Sequence, residues 1–352
     1  MRYLPTSRLT PGMALGQDIY DGAGRLLLGR HILLTEEQIS NLEFLGFPGA
    51  YVDDEFSRGI EIQQIVSPEV RRQALKIVYD LFHTDMRKQE PSEAEFKLRK
   101  TVESVVDDVI CNGDIMCNIM DIKSYDDYIY YHSIHVGILS VVVGARLGLS
   151  HDKLCQLAAA ALLHDIGKRF IDHDIVRGGK AHRSEKEQEV YRSHPKIGAE
   201  YLRETCRFPA DVYEGIMEHH ECYNGEGYPL GKKGGEIHLF ARIIRIADCY
   251  DAKVSAFPAQ KSLSPSEALE YVMALGDRWF DPDIVAVFAR KVAAYPIGCE
   301  VELSNGQHAV VARNFENFPL RPLVRVVETG EMLNMRDDEK ARAVTVGRLI
   351  VR

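Results

Sequence analysis

No Cys-x-x-Cys pair occurs in this 352-residue chain, whose seven cysteines are scattered and odd in number. That pattern excludes a zinc ribbon or a complete disulfide framework and points to reduced thiols. Nor is there an excess of positive charge. Lys and Arg total 43 against 52 Asp and Glu, a formal charge of -9, which argues against a general nucleic-acid surface, because such surfaces neutralise many phosphates with basic side chains. No stretch approaches the roughly 20 uninterrupted apolar residues of a bilayer span. The start, Met1-Arg2-Tyr3-Leu4-Pro5, has no apolar core followed by a small-residue cleavage site. A cytoplasmic protein without membrane attachment is the expectation. Internal repeats, low-complexity tracts and receiver, kinase, haem-attachment or DNA-reading motifs are also missing, so no input signal can be named.

What is present is enough apolar sequence, 45% of residues, for a sizeable core and more than one domain. Residues 1–62 carry short apolar runs broken by turn residues such as Asp21-Gly22-Ala23-Gly24, and read as a small β-rich module. One helix is expected inside it after Thr35, where Thr35-Glu36-Glu37-Gln38 has the form of a capping box. Residues 63–118 read as connecting helices. Residues 119–295 form the main helical domain, with Val136, Leu139, Val143 and Leu147, then Leu154, Leu157, Ala161 and Leu162, at helical spacing. From residue 296 the pattern becomes β-rich again, and Ser304-Asn305-Gly306 predicts a hairpin turn. The fold class is thus mainly α, a helical bundle core with small β-rich modules at both termini.

Within the helical region, His132, His164-Asp165, His194, His219-His220 and Asp248 form the ligand inventory of a two-metal hydrolytic site. The dipeptide His-Asp occurs three times and says little alone. His151-Asp152 follows Ser150 at an expected helix start, and His173-Asp174 lies in a polar connection. His164-Asp165 differs, because it ends an apolar helix and meets the turn Ile166-Gly167-Lys168. A carboxylate there can bridge two cations where an imidazole binds one, which makes Asp165 the bridging candidate. His132 and His135 compete for one ligand role, and Asp251 is an alternative to Asp248. Neighbouring imidazoles diverge by about 100° on a helix, so His219 and His220 share one centre best where a helix ends, which Gly225 and Gly227 favour.

Leu163-His164-Asp165-Ile166-Gly167-Lys168, followed by His219-His220-Glu221 and Gly225-Glu226-Gly227-Tyr228-Pro229, resembles the HD-GYP family of metal-dependent cyclic dinucleotide phosphodiesterases. The resemblance spans about residues 119–295 and implies an HD-type bundle. It selects His132 over His135, and it assigns His132, His164, Asp165 and Asp248 to one metal and Asp165, His194, His219 and His220 to another. Some relatives hold a third metal through an acidic residue one turn before His132; Tyr128 stands there, which favours two. Nitrogen and oxygen donors suit iron or manganese. The implied reaction is hydrolysis of cyclic di-GMP to pGpG, and on to GMP, by a binuclear metal-bound hydroxide. Asp165 and Lys168 serve as catalytic groups, and Lys168, Gly225, Tyr228 and Lys261 as substrate contacts. The family's usual arginines are replaced, Cys222 following the HHE triplet and Phe257, Ala259 and Gln260 preceding Lys261. Another cyclic dinucleotide or nucleotide as substrate, or a weakly catalytic sensor, are therefore the alternatives. Protein partners at the Gly-Tyr-Pro loop or terminal modules, and a homodimer, complete the expectations.

Overall fold

The computed structural model describes residues 1–88, 91–118, 127–178, 183–255 and 262–350. Its first part contains β1 (Arg2–Pro5), β2 (Ala14–Leu15), β3 (Ile19–Tyr20), β4 (Leu26–Leu28), helix α1 (Glu36–Phe44) and β5 (Gly49–Asp53). β1 and β2 flank β5 in an antiparallel sheet, and β3 pairs with β4. The reciprocal Thr35–Gln38 capping box starts α1 as the sequence predicts. Leu4, Leu15, Ile19, Leu34, Leu42 and Val52 give this module its own buried cluster.

Next come α2 (Pro68–His83), α3 (Pro91–Cys111), α4 (Tyr128–Arg146), α5 (His151–Leu163), α6 (His173–Arg177), α7 (Glu185–Arg192), α8 (His194–Thr205), α9 (Ala210–Met217), α10 (Leu239–Val254), α11 (Pro265–Ala274) and α12 (Pro282–Lys291). α4 is the central rod. Every residue from Tyr131 to Gly144 is buried, the behaviour of a helix apolar all round its circumference. It is long and apolar enough to cross a membrane by length and composition, yet 78% of that window is covered by the rest of the protein. α5 packs on it with Leu162 against Gly137 and Leu157 against Gly144. α2 and α3, expected as connectors, place Leu75, Val78, Val102 and Val106 in the same buried cluster as α4 and α5. Each such aliphatic side chain contributes roughly 1.5–3 kcal/mol on full burial.

The chain ends in an antiparallel sheet of β6 (Glu300–Leu303), β7 (His308–Arg313), β8 (Leu323–Val326), β9 (Met332–Asn334) and β10 (Val346–Ile350), in the order β10-β6-β7-β8-β9. The predicted turn joins β6 to β7, with Gly306 at φ +84°. Sequence patterning gives no sign that the two terminal sheets meet, but they do. Tyr3 N–H donates to Gly298 O at 2.9 Å, and Tyr3, Tyr51 and Cys299 share a buried cluster. Glu300, itself buried, receives Arg2 at 3.2 Å, Arg8 at 3.0 Å and His308 Nδ1 at 3.0 Å. The face of the C-terminal sheet bearing Val301, Leu303, Val311 and Val324 joins the helical core.

Candidate metal centre

Six separate elements deliver the seven candidate ligands to one buried centre. His132 comes from the second turn of α4, and Asp248 from α10. His164 ends α5, and Asp165 opens the 3-10 turn Ile166–Phe170. His194 is the first residue of α8, with Pro195 beside it. His219 and His220 follow the last turn of α9. Nitrogen or oxygen atoms of Asp165, His194, His219 and His220 lie within 4.8 Å of one another, as do those of His132, His164 and Asp165, and both groups could hold a metal ion. Asp165 belongs to both. Asp248 stands between them, Oδ1 3.2 Å from His132 Nε2 and Oδ2 3.9 Å from His220 Nδ1.

Three imidazoles are aimed by the same device. Nδ1 of His164, His194 and His219 each donates at 2.7 Å to the carbonyl three residues earlier, on Ala161, Tyr191 and Ile216. A carbonyl only accepts, so the proton sits on Nδ1 and the Nε2 lone pair faces the centre. His194 Nε2 and His219 Nε2 are 3.3 Å apart, and Asp165 Oδ1 lies 3.3 Å from the first and 3.9 Å from the second. Three acceptors that face one another with no proton between them repel unless a cation sits among them. His164 Nε2, Asp165 Oδ1 and His220 Nε2 are buried without a hydrogen-bond partner, each at a cost of about 1–3 kcal/mol if left so. The donor set fits a nitrogen- and oxygen-ligated divalent metal.

The electrostatics of four of the candidates agree with a ligand role. Burial lowers the pKa of His164, and burial reinforced by neighbouring imidazoles holds His219 and His220 well below the usual histidine range, so all three are neutral. Burial would raise Asp165, but the Lys168 ammonium outweighs it and holds the carboxylate ionised. Lys168 Nζ is 2.5 Å from Asp165 Oδ2 and stays charged despite its burial. It points into the centre and not along the protein surface.

His132 is held differently. Its Nδ1 meets Asp251 Oδ2 at 2.7 Å, and the other oxygen of Asp251 meets His135 Nδ1 at 2.9 Å. Asp251, wholly buried, thus aims both competing histidines, leaving His132 Nε2 toward Asp248 and Asp165. Burial opposes charge on His132, but its bonds to the two aspartates reverse this and bring its pKa up to about 9. Tyr128 stacks on the ring at 5.2 Å. The sequence signal for Asp251 was its i+3 spacing from Asp248, matched by the i+3 spacing of His132 and His135.

Local backbone geometry explains the glycines. A Cβ at Gly167 would lie 2.0 Å from the carbonyl oxygen of His194, so only glycine lets the Asp165 turn approach α8 this closely. A Cβ at Gly227 would lie 2.2 Å from the Cys222 nitrogen, which folds the loop back over the α9 terminus. Glu221 secures that loop by accepting from Leu230 N at 2.6 Å and Gly231 N at 3.1 Å. As a result Tyr228 stacks on His220, ring centroids 4.7 Å apart and 23° from parallel. His220 lacks a carbonyl tether among the described contacts, and this ring supports it instead. Gly225, at φ +88°, donates to Cys222 O at 2.8 Å and shapes the turn. Cys222 is buried, with Arg245 Nη2 3.9 Å from its sulfur. Lys261, Phe257, Ala259 and Gln260 lie outside the described residues.

Comparison with known proteins bears on this centre. Residues 118–284 match the family model described as HD domain. The cyclic di-GMP phosphodiesterase PA4108 of Pseudomonas aeruginosa is 32% identical over 64% of this chain and 54% of its own length. The cyclic di-GMP phosphodiesterase response regulator RpfG of Xanthomonas campestris is 39% identical over 42% of this chain and 39% of its own. The chain thus spans about half the length of the first and less of the second. In fold it is similar to Bd1817, an HDG"Y"P protein from Bdellovibrio bacteriovorus, with a TM-score of 0.51 over 82% of this chain and 97% of that one at 18% identity.

Proposed function

We propose that the chain, whose residues 118–284 match the HD domain model, is a metal-dependent phosphodiesterase of the HD-GYP kind that opens cyclic di-GMP to the linear dinucleotide pGpG. The observation that carries the reading is the pair of ligand groups sharing Asp165. Curated relatives named for this activity support the substrate. Residues 119–295 would be the catalytic domain, with residues 1–62 and 296–352 as attached modules.

His132, His164, Asp165 and Asp248 would hold one ion, and Asp165, His194, His219 and His220 a second, iron or manganese by the chemistry of the donors. Such ions supply Lewis acidity toward a phosphodiester and lower the pKa of water. The protein's own groups complete the site. Asp165 would serve both ions. The carbonyl tethers fix three imidazoles as neutral ligands. Lys168 provides a permanent positive charge for the phosphate or the departing oxygen, and Tyr228 presents a hydroxyl whose proton burial retains.

Anaerobic purification, metal quantification and a cyclic di-GMP turnover assay with chromatography of the products test the proposal. About two metals per chain and metal-dependent formation of pGpG are expected. Two metals with saturable binding but no turnover would make the protein a sensor, a reading to which the cysteine at position 222 lends some weight. Absence of stoichiometric metal under anaerobic conditions would overturn both.

A further inference from the structure

A second cavity, of about 510 Å³, lies where the N-terminal module meets the helical body, within the size range of small-molecule sites. It is bounded by Ile19 and Tyr20 of the module, by Gln64, by the first turns of α2 with Arg71 and Arg72, and by Tyr131 of α4. None of these residues belongs to the metal centre.

Two of its polar atoms, Gln64 Oε1 and Arg71 Nε, are buried without a hydrogen-bond partner, a loss that a bound polar group would recover. α2 also begins here without a side-chain cap. Its N-cap Ser67 instead turns to Asp108, donating from both N and Oγ at 2.9 and 2.8 Å. An acidic side chain therefore already sits at the start of this 16-residue helix, and the positive charge at the cavity comes from arginines. Arg30 and Arg71 add charge, and among the described residues neither has an acidic partner, whereas Arg72 is paired with Glu69 at 2.8 Å. The acidic member, Asp18, is already engaged. Its oxygens accept Arg30 N at 2.6 Å and Tyr20 hydroxyl at 3.0 Å. Ile19, Ile62, Leu75 and the two tyrosines supply an apolar and aromatic wall.

We propose that this cavity is a second ligand site, taking a small organic phosphate of mononucleotide size, with the phosphate at Arg71 and Arg30 and the flat moiety against Tyr20 and Tyr131. The site has a direct physical link to the metal centre. Tyr131 precedes His132 on α4, and its hydroxyl donates to Tyr20 O at 2.8 Å. A ligand seated between the module and α4 thereby bears on the helix turn that carries a candidate metal ligand.

The experiment uses the full chain carrying Asp165→Ala, which disables the first centre, and measures binding of GMP, AMP and inorganic phosphate by calorimetry. One site is expected, tighter for the nucleotides than for phosphate, and weakened at least tenfold by Arg71→Gln. Arg30→Gln, at an exposed side chain, gives a second reading should Arg71→Gln disturb folding, and weakening by either variant with circular dichroism preserved supports the site. Binding unchanged in both variants, or no binding of any of the three probes, overturns it. The readout needs no turnover, so it stands or falls separately from the phosphodiesterase reading.

Discussion

The surroundings of the His194–His219 pair and those of His132 are built on different principles. Around His194 and His219 the rings are tethered to main-chain carbonyls, and the turn bearing Asp165 is pressed against the α8 backbone at Gly167. Around His132 the positioning comes from side chains, with Asp251 aiming the ring and Asp248 facing it. A main-chain tether persists as long as the helix does, whereas a side-chain tether is lost with a single substitution. The His194–His219 pair should therefore resist mutation of its surroundings, and His132 should not.

The comparison can be broken at several points. Asp165→Ala removes the group common to both ligand groups, so loss of both metals and a fall in turnover of at least about a thousandfold are expected, in line with the loss of a group acting on both ions; metal analysis that still finds two ions would sink the shared-ligand reading. Gly167→Ala drives a methyl into a backbone oxygen and should cost about 1–3 kcal/mol or more, as overpacking does, read as a lower Tm together with weaker metal retention at the His194–His219 pair. Asp251→Asn should weaken metal binding about 10–100-fold, the usual effect of losing a ligand's orienting partner. The loss should fall on one ion only, leaving about one metal per chain after mild chelation. An equal loss of both ions would erase the distinction between the two surroundings. The smallest effect is expected from Tyr228→Phe, which keeps the ring stacked on His220 and removes only the hydroxyl: metal content unchanged and kcat within about tenfold of the parent, since a single hydrogen bond is worth roughly 0.5–1.5 kcal/mol.

Much of this was legible in the sequence because it is local. Helical periodicity marked α4 and α5, the Thr35 capping box marked α1, and Asn305-Gly306 marked the β6–β7 turn. The seven candidate ligands stand out as imidazoles and carboxylates in apolar helices, but the choice of His132 over His135 came from the family resemblance. Asp251 was read only as a rival to Asp248, since its role depends on α10 lying beside α4, a contact between residues more than a hundred positions apart. The meeting of the terminal sheets was illegible for the same reason, Arg2 and Glu300 being 298 positions apart. Gly167 could be seen as a turn residue, but nothing in its neighbourhood announces the carbonyl of His194.

That crossing at Gly167 also decides how the protein would tolerate one ion in place of another. With the main chains of the Asp165 turn and α8 already at closest approach, neither can slide to follow a change in ionic radius. The adjustment must come from His220, backed by a movable ring, and from Asp248 on its rotatable stem. Reconstitution with manganese or iron should therefore leave the His194–His219 spacing fixed while these two side chains take up the difference.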